Sequence, residues 1–90
     1  MYKILIADDH PVNRLLARQV LKNAWPNSHI VDANNGQHAV EWLQQEVFDL
    51  VLMDMVMPEM DGIEATQVIR NQLPMPAKDV VILGLTANVN

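Results

Sequence analysis

The sequence alternates short apolar segments with longer segments whose apolar residues recur every three or four positions. Apolar runs lie at residues 4–7, 50–53 and 80–85, and a weaker one lies at 29–33. A continuous apolar run of this length is typical of a strand buried on both faces of a parallel sheet. The longer segments between the runs predict amphipathic helices. The alternation therefore predicts an α/β fold with a parallel sheet and right-handed crossovers.

Three helices are predicted between these strands. The first has Pro11 in its first turn and ends at residues 25–27; its apolar positions are Val12, Leu15, Leu16, Val20 and Ala24. The second follows the turn at residues 34–36 and is expected to direct four side chains inward: Ala39, Val40, Leu43 and Val47. The third ends before Pro74 and carries Ala65, Val68, Ile69 and Leu73. Asp61 is interpreted as its cap, and Gly62 as a position that tolerates unusual backbone angles.

Composition excludes several classes of function. Ninety residues make one small domain, and a net charge of −5 with six basic residues argues against nucleic acid or an anionic membrane as a direct partner. Cysteine is absent, which excludes disulfides and thiolate catalysis and fits a reducing cytoplasm. No apolar run is long enough to span a bilayer, and residues 1–3 lead directly into a strand. A soluble cytoplasmic domain is expected.

Polar side chains follow three of the predicted strands. Asp8 and Asp9 follow the first, Asp54 ends the third, and Thr86 ends the fourth. Parallel α/β sheets bind ligands beyond the carboxyl ends of their strands, so these groups should converge. Carboxylates drawn together repel one another and favour a bound cation. With only hard oxygen ligands, Mg²⁺ is the natural occupant, and Mn²⁺ or Ca²⁺ are possible substitutes. A carboxylate beside such an ion can attack phosphorus.

Simpler interpretations exist for some of these residues. Asp8 and Asp9 suit the cap of the first helix, and Thr86 suits a strand as an ordinary β-branched residue. His10 is interpreted as a solvated loop residue rather than a general base or metal ligand, because no other histidine is expected near it. Asp54 is harder to interpret as a simple turn residue, because it directly follows four apolar residues at the converging edge.

Three motifs together carry a family resemblance. They are Ile-Ala-Asp-Asp-His-Pro-Val-Asn-Arg at residues 6–14, Leu-Met-Asp-Met-Val-Met-Pro-Glu-Met-Asp-Gly-Ile-Glu-Ala-Thr at 52–66, and Gly-Leu-Thr-Ala-Asn at 84–88. In this order they resemble the receiver domain of two-component signalling, particularly receivers attached to hybrid histidine kinases. The resemblance covers the whole chain. It implies a flavodoxin-like doubly wound parallel sheet of strand order 2-1-3-4, without the family's final helix, strand and helix.

The resemblance also implies a role for each matching residue. Asp54 is the phosphoacceptor and a metal ligand; Asp9 and the backbone carbonyl of Val56 are further direct ligands of Mg²⁺, and Asp8 assists through water. Thr86 hydrogen-bonds a phosphoryl oxygen. The phosphoryl donor is a histidine kinase or a histidine phosphotransfer protein. Such a domain catalyses its own phosphorylation and dephosphorylation and is otherwise not an enzyme, although a hybrid histidine kinase parent is possible.

One member of the family's usual set has no counterpart in this chain. Receivers carry a lysine at the end of a fifth strand, whereas Lys3 and Lys78 lie at the amino ends of their strands, near the opposite edge of the sheet. Without the final elements, strands one, three and four should expose apolar side chains, and strand four should be an unpaired edge. The sequence therefore predicts that the chain self-associates.

Two other functions compete with phosphoacceptance. The first is a receiver-like interaction module that is not phosphorylated, which the missing lysine makes possible. The second is a Mg²⁺-dependent phosphohydrolase that uses an aspartyl-phosphate. In such enzymes the nucleophile usually follows strand one, and a second acid lies two residues after it. In this chain the residue two positions after Asp8 is His10, which is not an acid. The phosphohydrolase is therefore disfavoured.

Overall fold

Strands and helices alternate along the chain, as the apolar pattern predicts. The computed structural model describes residues 1–85. Its elements are β1 (Lys3–Ala7), α1 (Pro11–Ala24), β2 (His29–Ala33), α2 (Gly36–Gln45), β3 (Leu50–Asp54), α3 (Gly62–Gln72) and β4 (Val81–Leu85), with a 3₁₀ turn at Ala77–Asp79. Even α1, the longest helix of this part, is too short and too polar to cross a membrane, and the other described helices are no better suited.

The sheet is parallel and has the strand order β2-β1-β3-β4. In the centre, Leu5 of β1 lies opposite Val31 of β2 and Val51 of β3. At the other side of β3, Asp54 lies opposite Leu85 of β4. This register brings the carboxyl ends of the strands to one edge of the sheet. It confirms the predicted flavodoxin-like strand order.

Apolar side chains fill both faces of the sheet because successive strand residues point to opposite sides. On one face, Leu5, Val51 and Met53 are fully buried with residues of α2 and α3, including Ala39 and Ile69. On the other face a smaller group packs under α1: Ile4, Ile6, Leu21 and Ile30. Burial of both faces explains why the central strands are continuously apolar in sequence.

The buried side of α1 differs from the prediction. All of Val12, Leu15, Leu16 and Val20 are at least 55 % exposed, whereas Ala17 and Leu21 pack on the sheet. The residues beside Ala17 and Leu21 are Arg14 and Arg18, which do not belong to the predicted apolar positions. Their guanidinium groups contact Asp32 of β2, which is opposite in charge and only partly exposed. These ion pairs accompany the orientation of α1 in which Ala17 and Leu21 face the sheet.

The inward orientation predicted for Val47 is wrong. α2 ends at Gln45, and Glu46 has an extended backbone with φ −139° and ψ 156°. Val47 therefore lies beyond the helix, where a spacing of four residues no longer returns a side chain to the same face. It is 65 % exposed, and Phe48 takes the buried position instead.

Part of the sheet face beside α1 is open to solvent. The prediction of exposed apolar side chains is wrong for β1, where Ile4 and Ile6 are covered by α1. For β4 it is confirmed, because Val81, Leu83 and Leu85 are 57 %, 50 % and 39 % exposed. They lie opposite Leu50, Leu52 and Asp54 of β3. We call the surface formed by Leu50, Leu52, Val81, Leu83 and Leu85 the open face.

Candidate functional site

The connection between β1 and α1 fixes the first acidic pair. The backbone N–H of Asp8 donates to the carbonyl of Ala33 at 3.1 Å, which extends the pairing of β1 with β2. Oδ1 of Asp8 accepts a hydrogen bond from the backbone N–H of His10 at 2.9 Å. This is the local turn that Asp side chains commonly make with the backbone two residues later. The Asp8 side chain is buried, and this hydrogen bond fixes the orientation of its carboxylate.

Arg14 holds this connection from the side of α1. Its Nη1 donates to the carbonyl oxygen of Asp8 at 2.7 Å, and its Nε lies 3.7 Å from Oδ2 of Asp32. Arg18 donates to Oδ1 of the same Asp32 at 2.6 Å, so one carboxylate on β2 serves both guanidinium groups. The sequence interpretation missed this network. The sequence feature that could have indicated the network is the pair of arginines one helical turn apart on α1, followed by an acid in the next strand.

Asp54 ends β3 and is buried, with a relative exposure of 4 %. Its Oδ1 accepts a hydrogen bond from the backbone N–H of Val56 at 3.0 Å. The backbone N–H of Met55 then donates to the carbonyl of Leu85 at 2.9 Å, so β3 stays attached to β4 past the acid. These contacts hold the Asp54 carboxylate at the carboxyl edge of the sheet.

The start of α3 packs closely behind Asp54. The side chain of Asp61 accepts a hydrogen bond from the backbone N–H of Glu64 at 2.9 Å, which confirms its predicted capping role. Gly62 does not have a positive φ, so the unusual backbone angles considered for it are wrong. A Cβ at this position would overlap the carbonyl oxygen of Asp54. Glycine is therefore needed because the two segments approach closely.

Four side chains converge at this edge. Asp8, Asp9, His10 and Asp54 each contribute one potential donor atom, and these atoms lie within 4.8 Å of one another. The structure thus brings together the three carboxylates that the sequence placed at the ends of β1 and β3. Asp8 and Asp54 are buried, and Asp9 is partly exposed. We call these four residues the acidic pocket.

The donor atoms of the acidic pocket fit a small divalent cation. Oδ1 of Asp9 is buried and accepts no well-aligned hydrogen bond in the described part of the chain, and its nearest polar neighbour is Nδ1 of His10 at 3.1 Å. Ligands bound at about 2.1 Å around one octahedral ion lie about 3.0 Å apart when adjacent and about 4.2 Å apart when opposite. The observed spacing needs only small movements to match these values. Because carboxylate oxygens are hard ligands, Mg²⁺ suits them.

His10 takes a position that the sequence did not predict. Its side chain is 66 % exposed, but Nδ1 lies 3.1 Å from Oδ1 of Asp9 and 3.5 Å from Oδ1 of Asp8. The expectation of an exposed loop residue is correct, and the contact of the imidazole with the two acids is an addition to it. The only sequence signal was its place directly after the acidic pair.

The remaining predicted positions are placed as follows. Val56 contacts Asp54 through its backbone N–H, and its side chain is 72 % exposed; the ligand role of its carbonyl stays a prediction. Thr86 lies outside the described residues. Lys3 begins β1 and pairs with Glu46, and Lys78 lies in the 3₁₀ turn before β4. Both lysines are at the amino ends of their strands, away from the acidic pocket.

Comparison with known proteins identifies relatives of the whole segment. The sequence profile of the response regulator receiver domain family matches residues 4–90. The sensor protein GacS of Pseudomonas syringae pv. syringae is 41 % identical over 96 % of this chain, which spans 9 % of GacS. A two-component response regulator of Oryza sativa subsp. japonica is 40 % identical over 100 % of this chain and 73 % of its own length. Some relatives are therefore much longer than the chain.

Solved structures share the fold. A receiver domain of a sensor histidine kinase from Pseudomonas aeruginosa, with a magnesium ion coordinated in its active site cleft, superimposes with a TM-score of 0.86 at 32 % identity. The match covers 97 % of this chain and 68 % of that one. The response regulator TrrA of Thermotoga maritima, in complex with Mg²⁺ and BeF, superimposes with a TM-score of 0.84 at 34 % identity. That match covers 98 % of this chain and 71 % of TrrA.

Proposed function

The chain belongs to the response regulator receiver domain family, and we propose that it accepts a phosphoryl group on Asp54 from a phosphohistidine donor, with Mg²⁺ bound in the acidic pocket. The donor is a histidine kinase or a histidine phosphotransfer protein. The reaction would take place in the cytoplasm, the compartment expected from the sequence. A hybrid histidine kinase is one possible parent, since relatives such as GacS contain the matching segment as a small part of their length.

One observation carries this proposal: the buried carboxylate of Asp54 at the end of a central strand, grouped with those of Asp8 and Asp9. A buried carboxylate is expensive when no positive side chain pairs with it, and two further carboxylates close by, one of them buried, raise that cost. Such an arrangement is characteristic of a functional site rather than of a stable core. Magnesium in the corresponding cleft of the Pseudomonas aeruginosa receiver supports the same occupant here.

The side chains divide the chemistry between them. One oxygen of Asp54 attacks the phosphorus atom while the backbone N–H of Val56 holds the other oxygen. The new P–O bond forms as the P–N bond to the donor imidazole breaks, and the imidazole nitrogen keeps the bonding electrons. Mg²⁺, when bound, would supply positive charge to the phosphoryl oxygens. Asp9, Asp54 and the carbonyl of Val56 would hold the ion directly and Asp8 through water, and the Thr86 hydroxyl would donate to a phosphoryl oxygen.

The chain modifies itself and turns over no free substrate in this scheme. The product is an acyl phosphate on Asp54. Attack of water on its phosphorus atom breaks the P–O bond to the side chain, returns the carboxylate and releases inorganic phosphate. The same acidic pocket therefore serves phosphorylation and dephosphorylation, and the domain is a switch rather than an enzyme.

A second candidate is a receiver-like interaction module that functions without phosphate, and the open face would give it a surface for association. Apolar side chains of β4 are exposed beside an edge that pairs with no strand other than β3 within residues 1–85. Exposed apolar patches and unpaired edges promote association. We therefore also propose that the 90-residue chain self-associates through this surface, which is compatible with either function.

Phosphoryl incorporation tests the main proposal. The chain is incubated with phosphoramidate, a small donor with a P–N bond, in the presence of Mg²⁺, and its intact mass is measured. We expect an increase of one phosphoryl group that hydroxylamine removes, as for an acyl phosphate. The Asp54→Asn variant should gain nothing, and the exposed Asp79→Asn should behave as the parent. No gain in the parent would favour the interaction module, and an equal gain in Asp54→Asn would contradict the assignment of the phosphoryl group to Asp54.

A further inference from the structure

We propose that His10 is a metal ligand of the acidic pocket and makes it bind divalent transition-metal ions more tightly than three carboxylates alone would. The inference rests on the proposed metal site and adds a nitrogen donor to it. The class of ion concerned comprises Co²⁺, Ni²⁺ and Zn²⁺. His10 is thereby a residue that determines metal specificity.

The distances around His10 match those of ligands that share one ion. Its Nδ1 lies 3.1 Å from Oδ1 of Asp9 and 3.5 Å from Oδ1 of Asp8. Adjacent ligands bound at about 2.1 Å are about 3.0 Å apart, so both separations are close to those of neighbouring positions around a metal. The donor atom of Asp54 completes a group that spans 4.8 Å at most. One ion can therefore contact all four side chains after small movements.

The backbone holds His10 at this place. Its N–H donates to Oδ1 of Asp8 at 2.9 Å, and its carbonyl accepts from the backbone N–H of Arg14 at 3.1 Å. His10 is the N-cap of α1, yet its side chain makes no capping hydrogen bond. Pro11 follows and limits the backbone further. The imidazole is therefore kept beside the carboxylates without being used to stabilise the helix.

Imidazole changes which ions the pocket favours. Mg²⁺ prefers oxygen ligands and keeps several waters, so it gains little from a nitrogen donor. Imidazole suits the later first-row metals, whose affinity for nitrogen and oxygen ligands rises toward Ni²⁺ and Cu²⁺. Replacing His10 should therefore weaken the binding of Co²⁺, Ni²⁺ and Zn²⁺ and leave that of Mg²⁺ nearly unchanged.

Calorimetric titration with Mg²⁺ and with Co²⁺, at one fixed pH and without a phosphoryl donor, tests this inference. In His10→Asn we expect the Co²⁺ dissociation constant to rise on the order of tenfold, equivalent to about 1.4 kcal/mol. The Mg²⁺ constant should stay within a factor of about two, as expected when an oxygen-preferring ion loses only a nitrogen donor. The visible absorption of bound Co²⁺ should also change, because it reports the loss of a nitrogen ligand. His10→Gln provides a second variant if the first does not fold.

His29→Asn is the matched control, because His29 is exposed and begins β2 at the opposite edge of the sheet. It should bind Co²⁺ as the parent does. The inference is wrong if Co²⁺ affinity is unchanged in His10→Asn and His10→Gln, if Mg²⁺ affinity falls equally, or if His29→Asn has the same effect. Such results would leave the proposed function intact provided that the parent still binds Mg²⁺ and phosphorylates Asp54. Failure of the parent in both respects would instead contradict the proposed function.

Discussion

The backbone N–H of Val56 donates a hydrogen bond of 3.0 Å to Oδ1 of Asp54. Because the donor belongs to the backbone, the contact does not depend on the side chain at position 56. An asparagine at position 54 can keep the acceptor oxygen and the shape of the side chain while losing the negative charge. This relationship makes Asp54→Asn a suitable variant for separating charge from structure.

Asp54→Asn should be more stable than the parent in metal-free buffer. Removing one of three neighbouring carboxylates relieves their mutual repulsion in a buried place. A gain of about 1 kcal/mol would raise the unfolding midpoint by about 4–8 °C in a domain of this size. Thermal unfolding with a chelator present measures it. Asp79→Asn, which changes the same charge at an exposed position, should leave the midpoint nearly unchanged, and an equal rise there would contradict the explanation.

Arg14→Lys should weaken Mg²⁺ binding, whereas Arg18→Lys should not. Both substitutions keep the positive charge and both residues contact Asp32, but only Arg14 donates to the carbonyl of Asp8. The guanidinium of Arg14 is planar and contacts both the Asp8 carbonyl and the Asp32 carboxylate, which the single ammonium group of a lysine cannot do. We expect a loss of about tenfold in Mg²⁺ affinity, the lower end of the range for groups that orient metal ligands. Calorimetry on both variants, with their unfolding midpoints as a check, gives the comparison. Equal losses would show that the contact of Arg14 with the Asp8 carbonyl is not what positions the metal ligands.

Gly36→Ala should destabilise the fold. The backbone N–H of Gly36 donates to the carbonyl of Met60 at 2.9 Å, and a Cβ at position 36 would overlap that same oxygen. The loop between β3 and α3 must then move away from α2, at a cost of about 1–3 kcal/mol. Chemical denaturation measures the change. Gln37→Ala, on the exposed next residue, should stay within about 0.5 kcal/mol of the parent. A neutral Gly36→Ala would show that the close approach is not required.

Leu83→Lys should reduce self-association of the chain. Leu83 lies at the middle of β4 on the open face and is 50 % exposed, so a lysine there can reach solvent without disturbing the core. Sedimentation velocity at micromolar concentration should show less oligomer than the parent. Val47→Lys places the same charge at a residue that is 65 % exposed and does not belong to the open face, and it should not change the distribution. A parent that is entirely monomeric would contradict the proposed association.

The fold was predictable because its central strands are buried on both faces. Residues 4–7 and 50–53 are continuously apolar, which restricts them to the middle of a covered parallel sheet. Once those strands are parallel neighbours, the residues that follow them must meet at one edge. The grouping of Asp8 and Asp9 with Asp54 follows from the order of the strands and needs no knowledge of individual side-chain conformations.

The features that were not predicted depend on contacts between distant residues. The spacing of Leu16 and Val20 suggests a buried helix face, but both residues are exposed, and the side of α1 that faces the sheet brings Arg14 and Arg18 to Asp32. The periodicity of α1 alone cannot reveal that Asp32 of β2 lies beside Arg14 and Arg18. The position of His10 likewise depends on its side-chain conformation beside Asp9, which sequence does not specify.

Thermal unfolding with and without Mg²⁺ tests most directly whether Asp8, Asp9 and Asp54 form one metal pocket. At about ten times its dissociation constant, Mg²⁺ should stabilise the parent by about 1.4 kcal/mol and raise its midpoint by about 5–10 °C. Glu41→Ala, which removes an exposed acid of α2, should respond as the parent does, and Asp9→Ala should not respond. The claim that the three carboxylates form one metal pocket is contradicted if Mg²⁺ does not raise the unfolding midpoint of the parent. It is also contradicted if Mg²⁺ raises the midpoint of Asp9→Ala by the same amount.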